Sequence, residues 1–247
     1  MMRRFHVIHL FGLLAFVFCF TSLSPAADFS QFRGKSGKAI NTQSDLPMKW
    51  SDDSNLMWKA EIEGRGSSSP IVVGEKILLT AYSGYGNLNQ SGSQEKLVRQ
   101  LLCFDLKDGK QLWKATIANE QQEDVYQGFI TEHGYATSTP VSDGESVFVF
   151  FGKSGVLAFD LEGKQKWHVS VGTESAQRRW GSAPSLVLHK DTVIVNASDE
   201  SQTIYALNKK DGSVSWKAEA EGLENSFNTP LLVSTADRTE LIVAVPW

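Results

Sequence analysis

The chain is 247 residues long, 41% hydrophobic and 21% charged, with a formal net charge of −4 at pH 7. That composition supports a packed core and excludes a disordered, collagen-like or disulfide-dense chain. The mildly acidic balance, without a basic face, argues against nucleic acid as a partner.

The first 26 residues read as a secretory signal peptide: Arg3 and Arg4 form a basic region, Val7 to Phe20 an apolar one, and Ser24, Ala26 and Ala27 offer small residues for cleavage. The apolar run is too short for a membrane span. The expectation is an exported chain, periplasmic or extracellular, with no transmembrane segment. Cleavage removes Cys19 and leaves Cys103 without an intrachain partner, so Cys103 is expected to be a buried, inert thiol.

Residues 27–247 are organised by a repeat. LLCFDLKDGKQLWKA, VLAFDLEGKQKWHV and IYALNKKDGSVSWKA each hold a small residue (Cys103, Ala158, Ala206), a polar residue two places on (Asp105, Asp160, Asn208), a turn glycine (Gly109, Gly163, Gly212) and a tryptophan (Trp113, Trp167, Trp216). Trp58, in NLMWKAEI, has the outer-strand half of the pattern only. A period of about 50–55 residues signals radially repeated four-stranded units. A second marker precedes each block: Pro70, Pro140, Pro184 and Pro230 suit the first residue of a strand, where a missing amide hydrogen does least harm.

Each unit reads as strand, tight turn, strand, loop, strand, tight turn, strand. Val147 to Phe151 and Val193 to Val195 are continuous runs of the kind that a strand buried on both faces requires. The predicted fold is all-β, a β-propeller of four-stranded blades, here an incomplete arc of about three complete blades plus partial ones. Trp58, Trp113, Trp167 and Trp216 are expected to lie between adjacent blades, over the small residue of their own block and against the next sheet. That is a structural role, burying about 200 Å² per indole.

On these residues the chain resembles the PQQ-like repeat β-propellers of the quinoprotein alcohol dehydrogenase-like superfamily, whose blades carry Ala-x-Asp-x-x-Thr-Gly-x-x-x-Trp. Cys103 to Trp113 and Ala206 to Trp216 match at full length, and Ala158 to Trp167 is one residue shorter at the turn. In QFRGKSGKAI and the order of its blocks it is also similar to secreted propellers of planctomycete-type bacteria. The resemblance implies a ring of about seven or eight blades. The chain is therefore expected to be a piece of a longer protein, truncated at its C-terminus, with open edges that permit self-association.

The tight turns VGEK, SDGE, HKDT, KDGK, LEGK and KDGS all fall on one face of such a fold. The insertions Tyr82 to Gln100 and Ile117 to Ala136 fall on the other. Long loops on a rigid scaffold concentrate function. The segments entering the inner strands place Arg65, then His133 and Tyr135, then Arg178, Arg179 and Trp180, and finally Asn225, Phe227 and Asn228 around the channel mouth as candidate ligand-binding residues. Arginines beside aromatic rings suit a carboxylate or phosphate. The other reading is that these residues pin the loops.

No catalytic residue and no metal set is predicted. His133 lacks partners, Glu132 is expected to point away from it along an extended segment, and Asp52/Asp53 and Glu123/Asp124 lack calcium-loop spacing and read as solvated charges. Asn89 and Asn196 begin glycosylation-like sequons. The reading is a non-enzymatic envelope propeller, similar to the propeller subunit of the outer-membrane protein assembly machinery, binding a protein or polymer through its loop-rich face. The alternative implied by the resemblance is a PQQ- and calcium-dependent dehydrogenase of alcohols or sugars. Against it, the adjacent cysteine pair of the alcohol-oxidising group and the haem-attachment motif do not occur. A polysaccharide-cleaving enzyme would need two opposed carboxylates, for which Glu132 and Glu224 are the available pair.

Overall fold

Hairpins form wherever the sequence alternates β-branched or aromatic runs with glycine-bearing turns. The computed structural model describes residues 29–34, 37–40, 46–86 and 92–245; the expected signal peptide and Asn89 lie outside them. The first sheet holds β1 (Ile71–Val73), β2 (Lys76–Ser83), β3 (Val98–Asp105) and β4 (Gln111–Ala118). The second holds β5 (Val141–Ser142), β6 (Ser146–Phe150), β7 (Val156–Asp160) and β8 (Gln165–Val169). The third holds β9 (Val187–His189), β10 (Thr192–Ala197), β11 (Thr203–Asn208) and β12 (Val214–Glu219). Each is an antiparallel meander in chain order, and β13 (Leu231–Ser234) with β14 (Thr239–Ile242) begins a fourth. This is the architecture of propeller blades, with the six expected tight turns all in place.

The cores lie between the sheets rather than within one. Val147, Val149 and Phe151 face Leu78, Leu101 and Cys103 of the first sheet. Their neighbours Phe148 and Phe150 face Val193, Val195 and Leu207 of the third. Alternation of side chains along β6 thus serves two interfaces, which is why the run is apolar throughout. Ile194 and Ile204 in turn pack against Leu232 and Leu241 of the fourth.

The tryptophans occupy equivalent places. Trp113, Trp167 and Trp216 pair with Cys103, Ala158 and Ala206 across the two outermost strands, each just before a register shift. A small residue opposite leaves room for the indole, and the shift adds local twist. The ring then reaches the next sheet's outer turn: Nε1 of Trp58, Trp113 and Trp167 donates to the carbonyls of Leu106, Leu161 and Lys209 at 3.0, 3.0 and 2.9 Å. There the turn glycines Gly109, Gly163 and Gly212 have φ of 71°, 86° and 75°. A Cβ would approach the indole to 2.8 Å at Gly163 and 2.9 Å at Gly212. Glycine is needed there twice over, for its backbone conformation and for the flat seat it gives the ring.

A belt of hydroxyls joins the inner strands as well. Ser69 N donates to Thr139 Oγ1 at 3.0 Å, Thr139 N to Ser185 Oγ at 3.0 Å, and Ser185 N to Thr229 Oγ1 at 2.9 Å. In three of the four units the hydroxyl residue precedes the proline; in the third, Ser185 follows Pro184 and β9 starts later.

Several expectations are corrected. The insertions are shorter than read, because β2 continues to Ser83, β3 resumes at Val98 and β4 extends to Ala118. Ile130–His133 is a helical turn, α1, rather than an extended segment. Residues 56–62, read as an outer strand through Trp58, join no sheet, since no strand among the described residues lies beside them to hydrogen-bond with. Asn196 is fully buried and its amide donates to Ser226 O at 3.2 Å, so it is no sequon for a glycan. Cys103 is buried, and desolvation lifts its thiol to about 11.

Candidate functional site

The loop-rich face is built on buried charge. Glu123 and Asp124, read as solvated, are buried instead. The reason is two cations from other elements. Arg99 on β3, only 2% exposed, reaches Glu123 Oε1 at 2.5 Å, Ser154 Oγ at 2.9 Å and Asn119 Oδ1 at 3.2 Å. Lys153 lies 3.5 Å from Asp124 Oδ2 and donates to Ser175 Oγ at 2.7 Å. These pairs clamp the 119–124 loop to the first and second sheets. Bidentate or multiply bonded pairs of this kind fix geometry more than they add stability.

A second acidic group lies beneath them in α2 (Ser198–Ser201), the connection between β10 and β11. Asp199 accepts from Ala176 N at 3.0 Å, and burial raises its carboxyl. Glu200 is fully buried, and desolvation, then the neighbouring Asp199, push its carboxyl up to about 8. Both its oxygens and the hydroxyls of Ser138 and Ser182 lack a hydrogen-bond partner among the described residues. The cavity of about 30 Å³ lined by Glu200, Ser138 and Ser182 is large enough for one water molecule.

Above the ionic layer are two aromatic groups. Tyr135 meets Tyr82 edge-on at 5.5 Å, Tyr85 at 5.8 Å and Tyr126 at 6.1 Å, and donates from its hydroxyl to Asp124 O at 2.7 Å. Burial raises the phenols of Tyr82 and Tyr135 far above their ordinary value. Gly134, with φ 72°, closes α1 where any Cβ would collide with the Tyr82 ring. The other group is a surface stack: Trp180 lies 5.0 Å from Phe129 and 5.3 Å from Phe227, and the Arg178 guanidinium sits 4.7 Å over Trp180. Phe129 is 54% exposed.

Of the nine candidate residues, the structure therefore brings together His133, Arg178, Trp180 and Phe227. His133 is held at both ring nitrogens, Nε2 by Trp180 O and Nδ1 by Thr137 Oγ1, each at 2.8 Å. A carbonyl only accepts, so Nε2 carries the hydrogen of the contact with Trp180. Arg65 stands apart, its backbone paired with Tyr82, and Tyr135 belongs to the tyrosine group. Asn225 bonds to Glu224, and Asn228 to Ser226 and Ala244. Arg179 is exposed, with φ 50°. Sequence reasoning missed Phe129, Arg99, Lys153, Asp199 and Glu200. A charged residue inside the apolar strand VRQLLCFD was the available sign of the first ion pair.

Among the described residues no three His, Cys, Asp or Glu side chains are placed to hold a metal, and no helix is long and apolar enough to cross a membrane. Among the described residues, Glu123 and Asp124 are already paired with Arg99 and Lys153 and Glu200 is buried, so these three carboxylates are not free to ligate a calcium ion.

A PQQ-repeat family model described as outer membrane protein assembly factor BamB matches residues 52–238. The chain belongs to this family. The match covers all three complete sheets of this BamB-like chain. A search of curated proteins finds no match. Among solved structures, BamB from Moraxella catarrhalis is similar at 13% identity and a TM-score of 0.47, over 76% of this chain and 46% of that one. Quinohemoprotein alcohol dehydrogenase from Comamonas testosteroni is similar at 15% identity and a TM-score of 0.47, over 78% of this chain and 27% of that one. The computationally designed Ika4 protein is similar at 9% identity and a TM-score of 0.46, over 77% of this chain and 98% of that one. The BamB-like chain spans about half the length of the BamB structure.

Proposed function

We propose that this chain acts without catalysis as an exported, envelope-located scaffold that binds a protein or polymer partner through its loop-rich face. The observation that carries the reading is the Phe129–Trp180–Phe227 stack with Arg178 on it, in which Phe129 and Arg178 are exposed and Trp180 and Phe227 half-buried. Phe129 stands on a loop fixed by two buried ion pairs, and His133 of the same loop holds Trp180 O at 2.8 Å, so little ordering entropy remains to be lost when a partner arrives. Exposed aromatics beside an arginine are the usual anchors of protein interfaces. The family's description as an assembly factor supports a protein partner.

The test is a photo-cross-linking amino acid at position 129 and, as control, at position 107 in a tight turn of the opposite face. Discrete adducts from 129 that vanish with Trp180→Ala and are absent from 107 are expected. Equal labelling from both faces would contradict the reading. So would dye reduction by the purified chain with PQQ, calcium and an alcohol.

A further inference from the structure

Counted from the belt residues Ser69, Thr139, Ser185 and Thr229, the third residue on holds the same position on each inner strand: Val72, Ser142, Leu188 and Leu232. Val72 and Ser142 each stand two residues after the proline, Pro70 or Pro140; Val72 comes one residue before the pair Val73–Lys76, and Ser142 one residue before Asp143, whose amide donates to Ser146 O at 3.3 Å. Their amides point away from the sheet and are filled by this chain itself: Val72 N donates to Phe29 O at 3.0 Å and Ser142 N to Ser30 O at 2.9 Å. Two consecutive carbonyls of one segment thus bridge two neighbouring sheets.

Leu188 and Leu232 hold the same place in the third sheet and the fourth. Leu188 stands one residue before the pair His189–Thr192, as Val72 does before Val73–Lys76. Leu232 follows Pro230 by two residues and faces outward by the alternation that the Thr235–Arg238 turn sets. Neither amide has an acceptor among the described residues. Both line a single groove of about 700 Å³, a size that takes a short peptide or small ligand. Its walls include Phe32, Leu186 and Leu231, and Arg33 is the one charged residue among those lining it.

We propose that this groove binds an extended peptide with an acidic side chain, whose consecutive carbonyls accept from Leu188 N and Leu232 N. The occupant would continue, across the third and fourth sheets, the path that Phe29 and Ser30 take across the first and second. Backbone pairing of this kind supplies affinity, and the apolar walls and Arg33 supply selection. The groove shares Phe227 with the aromatic stack of the loop-rich face, but the proposal turns on the Leu188 and Leu232 amides and on Arg33, none of which belongs to that stack.

A synthetic peptide of residues 27–32, which contains Asp28 and the Phe29–Ser30 carbonyls, is the probe. It is titrated into the full ¹⁵N-labelled chain. The amide signals of Leu188 and Leu232 should move while those of Val72 and Ser142 stay. Leu188→Pro and Leu232→Pro together remove both donors on edge strands whose outward amides bear no ladder bond. The double variant should bind about tenfold more weakly, as expected for the loss of two ordinary hydrogen bonds. Leu188→Val, which keeps its amide, should bind like the parent and controls for a packing change. Overturning results are movement at neither amide, equal binding by a folded double proline variant, or shifts at both amides that depend on protein concentration without peptide, which would assign the groove to a second copy.

Discussion

Trp167 is 8% exposed while Trp216, which no following turn covers among the described residues, is 41% exposed. The two share the same cross-strand setting, opposite Ala158 and Ala206, so the difference isolates the contribution of the next sheet's turn. Trp167→Ala is expected to cost about 3–5 kcal/mol and Trp216→Ala less than about 1 kcal/mol in urea unfolding, since only the first leaves a cavity. Gly212→Ala forces a Cβ against Trp167 and Val169 at φ 75°, so it should destabilise by more than the 1 kcal/mol or so of an ordinary glycine replacement. Glu200 gives a pH signature. Its folded carboxyl keeps the proton to about pH 8, whereas the ordinary value is 4.5, so the folded state binds more protons across that window. Stability therefore falls as pH rises from about 5 to 8. Glu200→Gln should raise the melting temperature at pH 8 and leave it nearly unchanged at pH 4, checked by calorimetry at both values.

At the scale of elements, what holds the 119–139 loop is the pairing of Glu123 and Asp124 with Arg99 and Lys153. Arg99→Met strands a buried carboxylate and is expected to cost about 3–5 kcal/mol, read from chemical denaturation. The tight turns were legible because glycine and aspartate at fixed offsets specify a turn locally. The buried pairs were not, because Glu123 and Asp124 look solvated until Arg99 arrives from β3 and Lys153 from the turn after β6, two partners that no local pattern joins to them. The α1 turn was missed for a similar reason. Four residues carry no helical period, and its place is fixed by Ile130 entering the core and Gly134 closing against Tyr82.

Across the whole molecule, sheets stack so that the second and third each contribute both faces to two cores, with hydroxyls joining each sheet to the next and indoles joining the first three. This plan was readable from the repeat, since a period that combines a small residue, a turn glycine and a tryptophan already states which atoms meet. The grouping of site residues was not. Nine positions at the sheet entrances were equivalent in sequence, and only packing distinguished the four that share the Trp180 stack from Arg65, Tyr135, Asn225 and Asn228, whose polar groups are used within the fold. With Glu123 and Asp124 paired and the tyrosines packed, the loop-rich face is a preformed platform rather than a mobile fringe. Hydrogen exchange across the whole chain tests it directly. Amides of Glu123 and Gly134, bonded to Gln94 Oε1 at 3.1 Å and Ile130 O at 2.7 Å, should exchange in the slow class of β6 and β7. Exchange at the rate of the exposed Lys107 turn would contradict a preformed platform and with it the scaffold reading.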